Sequence, residues 1–387
     1  MKKKSVNYIV ESIEKAIGNG PHQLHEPLFI GKEIDYLKRT INQNFVSTAG
    51  KYVNKFENKI KKFTKSKFAI AVVNGTQAIY ISLKVCGVKK NEEVLVPALT
   101  FVGTANAISY LGAIPHFVDS QIENFGIDCL KLEKYLDKIV KFKGNKSINK
   151  ITGKVIKAIV PVHVFGHPCN IQGVIKIAKK FNLVVVEDAA EALGSFYKKK
   201  HLGTFGDLGC ISFNGNKIIT TGGGGMVITN KKILAKKIRH LVTTAKLNHK
   251  WDYVHDDIGY NFRMPNLNAA LGLAQMEKIK IFLKAKKTLF KSYLKVFKKI
   301  EGISLYKEPK NANSNYWLQA IIINNKNILK NEVLKISHKK MIYMRPVWKL
   351  ISDLKPYKKN IKMNLSGAKE IYNKTINLPS SQSLILK

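Results

Sequence analysis

The sequence predicts an α/β protein: a large domain with a mostly parallel sheet sandwiched by helices, plus a small C-terminal α+β domain. Three observations carry this. From Phe68 onward, short apolar runs alternate with helix-period stretches, the pattern of a sheet covered on both faces. Near residue 250 that alternation stops and a polar, aromatic loop begins. The 387 residues also suffice for one large core and a smaller second one. We place the large domain at residues 1–250, with an N-terminal helical segment, and the small domain at 251–387.

Val6, Ile9, Val10, Ile13 and Ile17 fall on one stripe, which predicts a helix over 1–20 ended by Gly20 and Pro21. Two further helical patterns, 32–46 and 51–64, are separated by Gly50. Strands are expected at 68–73, 94–96, 115–118, 155–164, 183–186, 208–213 and 226–229. Helices are expected at 77–85, around 105–108, and at 130–140, 171–180 and 232–241. In such a sheet, ligands sit at the carboxyl ends of the strands. Beyond the 251–265 loop, a long helix is expected over 267–299, with apolar positions from Leu271 to Phe297 opposite a lysine face. Strands at 317–323 and 341–344, with a helix at 326–336 between them, complete the small domain.

Composition narrows the function. The chain is 45% hydrophobic and 24% charged, as globular proteins are. No apolar run is long enough for a membrane span, and no apolar segment follows the basic Met1-Lys2-Lys3-Lys4 start, so we expect a cytoplasmic protein. Four cysteines, without CxxC spacing, fit reduced thiols. The net charge of +40 raises the question of nucleic acid. But the lysines are dispersed, and only Arg39, Arg239, Arg263 and Arg345 are arginines. No nucleic-acid motif is present, so a lysine-rich solvated surface that attracts anionic small molecules is expected.

The chemistry gathers at the expected strand ends. Lys217 lies in a polar turn between two apolar strands, just before Gly222–Gly225. A desolvated lysine there can lose its proton and add to an aldehyde as a Schiff-base nucleophile; a plain surface lysine beside a Gly-rich hairpin has the same local sequence. Gly75 and Thr76 open a helix directly after a strand, which suits a phosphate group, though Thr76 could equally be an ordinary cap. Phe101 could stack on a planar ring or pack in the core. Asp188 ends a valine-rich strand and can keep a pyridine nitrogen protonated, or cap the next turn. Glu191 follows three residues on, and Ser212 offers a second phosphate hydroxyl. His163 ends the 155–164 strand, in a catalytic or supporting place. His163, His167 and Cys169 match no zinc spacing, and no metal is expected. Phosphate site, ring stacker, pyridine partner and imine lysine together make the parts list for pyridoxal 5′-phosphate.

Several stretches resemble one family along nearly the whole chain. They are 74–78 (Asn-Gly-Thr-Gln-Ala), 99–108 from Leu99 to Ile108, 187–195 (Glu-Asp-Ala-Ala-Glu-Ala-Leu-Gly-Ser), 212–217 (Ser-Phe-Asn-Gly-Asn-Lys), 259–266 and 377–381. They are similar to the DegT/DnrJ/EryC1/StrS aminotransferases, fold-type I enzymes with an aspartate aminotransferase-like fold that act on nucleotide-linked keto-sugars. Asn-Gly-Asn-Lys followed by Thr-Thr-Gly-Gly-Gly-Gly, and Pro-Val-His-Val-Phe-Gly-His-Pro-Cys at 161–169, look most like the LegC-like branch. That branch aminates 4-keto-6-deoxy-N-acetylhexosamine nucleotides.

The resemblance implies that Lys217 holds the cofactor as an imine and that Asp188 pairs with its ring nitrogen. It implies that Phe101 covers the ring, and that Gly75, Thr76 and Ser212 hold the phosphate. Glu191 would face the ring hydroxyl, where many relatives have Gln. Asn261 would reach the phosphate of a neighbouring subunit, making the working unit a homodimer. His163, Arg263, Tyr343, Arg345 and Trp348 are candidates for the substrate region. Glutamate would be the amino donor and 2-oxoglutarate its product. A perosamine-type or 3-amino sugar aminotransferase shares the same cofactor residues. A non-catalytic regulator that binds the cofactor is the alternative of a different class.

Overall fold

The computed structural model describes residues 2–386. Three helices come first: α1 (Lys2–Ile17), α2 (Glu33–Asn42) and α3 (Lys51–Thr64). The alternating region follows as β1 (Phe68–Val72), α4 (Gly75–Val85), β2 (Glu93–Pro97), α5 (Val102–Tyr110), β3 (Ile114–Val118) and α6 (Cys129–Ile139). It continues with β4 (Val140–Lys143), β5 (Lys146–Asn149), β6 (Val155–Ile159), α7 (Ile171–Lys180) and β7 (Val184–Asp188). Next come β8 (Phe196–Tyr197), β9 (Lys200–His201), β10 (Leu208–Ser212), β11 (Gly225–Thr229) and α8 (Lys232–Val242). The last part holds α9 (Asn266–Phe297), β12 (Ile303–Leu305), β13 (Ala312–Asn313), β14 (Gln319–Ile323), α10 (Lys330–Lys339), β15 (Arg345–Pro346), α11 (Ser366–Lys374) and β16 (Thr375–Leu378).

The main sheet has the order β1-β11-β10-β7-β6-β2-β3, with β4 and β5 attached beyond this path. Neighbours from β10 to β3 pair in parallel, whereas β11 runs antiparallel to both β1 and β10. The mostly parallel sheet is therefore present, with one reversed strand inserted near the edge. Its strands are buried on both faces because they are apolar at consecutive positions, as in Val94-Leu95-Val96 and Met226-Val227-Ile228. A smaller antiparallel sheet, β12-β14-β16-β15, lies in the C-terminal part.

Several elements differ from expectation. The long helix α9 is not among them, running from Asn266 to Phe297 as expected. Residues 341–344 do not form a strand: Met341 adopts φ 57° and Ile342 makes only an isolated bridge to His22. Their apolar character reflects burial of Ile342 and Met344 in the second core. The hairpin β4–β5 arises in a lysine-rich stretch, Lys141-Phe142-Lys143, that carries little apolar alternation. The N-terminal helix, grouped by the sequence with the large domain, turns its apolar stripe to the second core. Val6, Ile9, Val10, Ile13 and Ile17 pack with Leu289, Tyr293, Phe297 and the strands of the small sheet, in a core separate from that of the large sheet.

Candidate active site

The site begins where β1 gives way to α4. Asn74 caps the helix, its Oδ1 accepting from the Gln77 N–H at 2.8 Å. The first intrahelical bond is made by Ala78 to the Asn74 carbonyl. The N–H groups of Gly75 and Thr76 precede that bond and stand at the positive end of the helix dipole. A Cβ on Gly75 would lie 2.9 Å from Ser212 Cβ and 3.2 Å from Ser212 Oγ. Glycine at 75 thus lets the end of β10 close against the helix N-terminus. Gly225, where β11 starts, is fixed for a similar reason, since its Cβ would lie 2.4 Å from the Asn74 carbonyl oxygen.

Asp188 is the last residue of β7 and is 5% exposed. Its Oδ2 accepts from Thr104 Oγ1 at 2.7 Å, and its Oδ1 accepts from the Ala190 N–H at 3.1 Å. Burial raises its pKa above the ordinary value, while Thr104, Ala190 and the charge on Lys217 work against the rise. Glu191 is also buried. Its Oε2 accepts from the Phe165 N–H at 2.9 Å, and its Oε1 lies 3.4 Å from Lys217 Nζ. Burial pushes its pKa up to about 7, against the attraction of Lys217.

Lys217 sits in the turn after β10, its N–H bonded to the Asn214 carbonyl at 3.0 Å. Its amine lies 3.7 Å from the ring centroid of Trp317. The Trp317 indole N–H donates to the Asn216 carbonyl at 2.6 Å. Trp348 stands on the same wall, packed at 5.1 Å on the ring of Phe165. Phe101, just before α5, is 57% exposed, which is unusual for a phenylalanine and leaves a ring face open at the mouth.

These groups line one cavity of about 370 Å³, a size suited to a small-molecule ligand. It brings together Gly75, Thr76, Phe101, Asp188, Glu191, Ser212, Lys217 and Trp348. It also includes Trp317, which the sequence reading treated as one residue of an apolar strand. The indole gave no separate signal there, because the segment that presents it is far from Lys217 in the chain.

The other candidates lie elsewhere. His163 is fully buried behind Asp188: its Nε2 is 3.0 Å from Glu187 Oε2, and its Nδ1 accepts from the Cys169 N–H at 3.4 Å. Both of its ring nitrogens are engaged inside the core, and it does not line the cavity. Arg263 flanks the sheet edge through a bridge to Val72, and its Nε is buried with no partner among the described residues. The Tyr343 ring packs on His338 at 5.5 Å, and Arg345 is exposed on β15. None of these three lines the cavity of its own chain. Asn261 is exposed and bridged to Thr243, also outside that cavity.

The donor set fits pyridoxal phosphate. A phosphate would find helix N-terminal N–H groups with the hydroxyls of Thr76 and Ser212, in a cradle that a Cβ at 75 would fill. A ring nitrogen would find the buried carboxylate of Asp188, an aldehyde the amine of Lys217, and a ring face Phe101.

The DegT/DnrJ/EryC1/StrS aminotransferase family profile matches residues 29–386. The chain belongs to that family. GDP-perosamine synthase of Escherichia coli O157:H7 is 37% identical over 364 residues, 93% of each chain. A UDP-4-amino-4,6-dideoxy-N-acetyl-beta-L-altrosamine transaminase of Campylobacter jejuni is 30% identical, covering 92% of this chain and 91% of its own. Among solved structures, the Helicobacter pylori aminotransferase PseC, involved in pseudoaminic acid biosynthesis, superimposes with a TM-score of 0.83 at 26% identity. That match covers 92% of this chain and 93% of PseC. The DegT-family protein described here is thus a sugar aminotransferase of fold-type I, and the cofactor of its family is pyridoxal phosphate.

Proposed function

We propose that this protein transfers an amino group from glutamate to the 4-keto carbon of a nucleotide-linked 4-keto-6-deoxy sugar. The observation that carries the reading is the placement of Lys217 Nζ in one cavity with Asp188 and the N-terminus of α4. The sequence motifs favour an N-acetylhexosamine nucleotide, in bacillosamine- or legionaminic-acid-type biosynthesis, and the Campylobacter relative supports that choice. A GDP-linked sugar is the second reading. It is supported by GDP-perosamine synthases at 37%, 35% and 38% identity.

When bound, the cofactor supplies an electron sink for a carbanion at the carbon that bears the nitrogen. Lys217 Nζ acts as the proton carrier, taking the α-proton of glutamate in one half-reaction and delivering a proton to C4 of the sugar in the other. Asp188, held by Thr104 and Ala190, sets a negative charge where a ring nitrogen keeps its proton. Gly75, Thr76 and Ser212 anchor the phosphate, and Phe101 and Trp348 limit the open side of the cavity. Glu191, beside the amine, accepts or returns a proton near neutral pH.

A homodimer with shared sites is part of the proposal. Ile34, Ile41 and Phe45 in and after α2, and Trp251, Tyr253 and Ile258 in the loop between α8 and α9, are exposed apolar groups that a second copy would cover. Asn261 lies beyond its own cavity, which suits a role in the neighbour's. We place the reaction in the cytoplasm; no described helix is long and apolar enough to cross a membrane.

The test is turnover with glutamate and a panel of UDP- and GDP-linked 4-keto sugars, reading the configuration at C4. Borohydride should fix the cofactor to Lys217, and Lys217→Ala should lower kcat by at least about a thousandfold, the scale of losing a proton-transfer group and its covalent hold. Intact turnover in Lys217→Ala would end the assignment.

A further inference from the structure

The segment that carries Trp317 is stapled to both sides of the cavity. Asn315 Nδ2 donates to the carbonyls of Glu191 and Leu193, at 2.7 and 2.9 Å, and its Oδ1 accepts from the Trp317 N–H at 2.9 Å. The indole N–H reaches the carbonyl of Asn216, the residue before Lys217. One side chain therefore clamps the lysine's backbone and places a π-face against its amine.

Beneath Trp317 lies an unusual group. Lys286, on α9, is fully buried, and its Nζ donates to the Trp317 carbonyl at 2.7 Å and to the Ser380 carbonyl. It has no salt-bridge partner among the described residues. Burying an amine in this way costs free energy that two neutral acceptors offset only in part. What the arrangement provides is geometric: Lys286 ties the strand end at Ser380 and the start of β14 to one point under the site.

We propose that Trp317 is a positioning residue for the Lys217 amine, and that Lys286 acts through Trp317 by fixing its backbone. An aromatic face favours an ammonium over a neutral amine, most strongly where water is excluded. Trp317 thus gives the amine a fixed seat on a π-face when it is not bonded to an aldehyde, and the small sheet takes part in setting where that amine is presented. The other ionisable groups facing the amine are Glu191 at 3.4 Å, Asp188 on the same cavity wall, and the buried imidazole of His25 against Trp317, with Lys286 behind. Neither ring nitrogen of His25 has a hydrogen-bond partner among the described residues. The proposal rests on the reading of Lys217 as the reactive amine.

The experiment measures capture of pyridoxal phosphate by cofactor-free protein, fixed with borohydride and mapped by peptide, from neutral to alkaline pH. Trp317→Leu should slide the capture profile toward lower pH by about one unit, the size of a desolvated cation–π contact. Trp317→Phe, which keeps an aromatic face and preserves packing, should move it less but in the same direction. Lys286→Met should shift it likewise, and combining it with Trp317→Leu should add nothing, as expected for groups acting in series. An unchanged profile in Trp317→Leu, or in Trp317→Phe where the leucine variant does not fold, would overturn the proposal. Additive shifts in the double variant would remove Lys286 from it. Fixation in wild-type protein at a lysine other than 217 would instead overturn the reading on which it rests.

Discussion

Glu187 and Glu191 lie four residues apart in one loop-bearing stretch, both are buried, and their surroundings treat them in opposite ways. The Glu187 carboxylate accepts from His163 Nε2 at 3.0 Å and from three backbone N–H groups, those of Gly203, Phe205 and Gly206, at 2.9, 2.6 and 2.6 Å. Burial alone would raise its pKa, but His163 and these N–H donors bring it below the ordinary carboxylate value. Glu191 has one backbone donor and one amine at 3.4 Å, and burial wins. The difference teaches that depth does not decide whether a carboxylate is poised to exchange a proton. The number of donors it has been given does. Glu187 is saturated and holds the fold behind the sheet; Glu191 is left short on the cavity side, where a group that titrates near neutrality can take part in chemistry.

Breaking the saturated side should have the larger effect. Glu187→Ala leaves a buried imidazole and three N–H groups, that of Gly203 fully buried, without their acceptor, and we expect a loss of more than about 3 kcal/mol in stability, measured by denaturant unfolding. The sign with pH follows from the lowered pKa. The contribution of Glu187 is complete above its unfolded value of 4.5 and fades as pH falls through the lower folded value. Wild-type protein should therefore lose more stability than Glu187→Ala on acidification below that point. A variant as stable as wild type at neutral pH would contradict the comparison.

The unsaturated side should respond the other way. Below pH 4.5 Glu191 is protonated in both the folded and unfolded chains and costs nothing. Between 4.5 and about 7 the unfolded chain gives up a proton that the folded one keeps, so stability falls with rising pH, and above about 7 the penalty is constant. Glu191→Gln removes it. Cofactor-free Glu191→Gln should thus be more stable than wild type at alkaline pH, by at most about 3 kcal/mol, and equal to it in acid. Melting curves across pH measure the gap, and a gap that closes on going alkaline would refute the assignment. Catalysis should pay for that stability, with the pH optimum of kcat losing its limb near neutrality.

Part of the cavity side was legible in the residues, but its contrast with Glu187 was not. Alternation of apolar runs puts Asp188, Ser212 and Lys217 at or near strand ends and Glu191 three residues beyond one, and the sheet brings them to one cavity. What stayed hidden depends on contacts between distant segments. Trp317 was indistinguishable from a strand residue until the fold set it beside Lys217, and His163 was polar at a strand end without revealing that Glu187 turns it inward. The placement of α1 was equally hidden, since an amphipathic stripe states that a face is buried but not against which core. Arg263, Tyr343 and Arg345 were named from resemblance, and their positions follow from the pairing of Arg263 with Val72, the packing of Tyr343 on His338 and the pairing of Arg345 with Asn377, which their side-chain chemistry does not announce.

The smallest effect belongs to a region with more charge than either glutamate has. Lys180 lies 3.0 Å from Glu133 and 2.8 Å from Asp137, and these contacts raise its pKa. By a count of ion pairs this would rank with the Glu187 network. Yet the lysine is 42% exposed, so water competes for every charge and holding three long side chains in place costs rotamer entropy. Lys180→Ala should leave the melting temperature within experimental scatter, and raising the salt concentration should change the two proteins equally. A clear loss of stability would mean that solvent screening is weaker on this lysine-rich surface than the exposure indicates, and the argument that donor saturation, not charge count, separates Glu187 from Glu191 would need a second term.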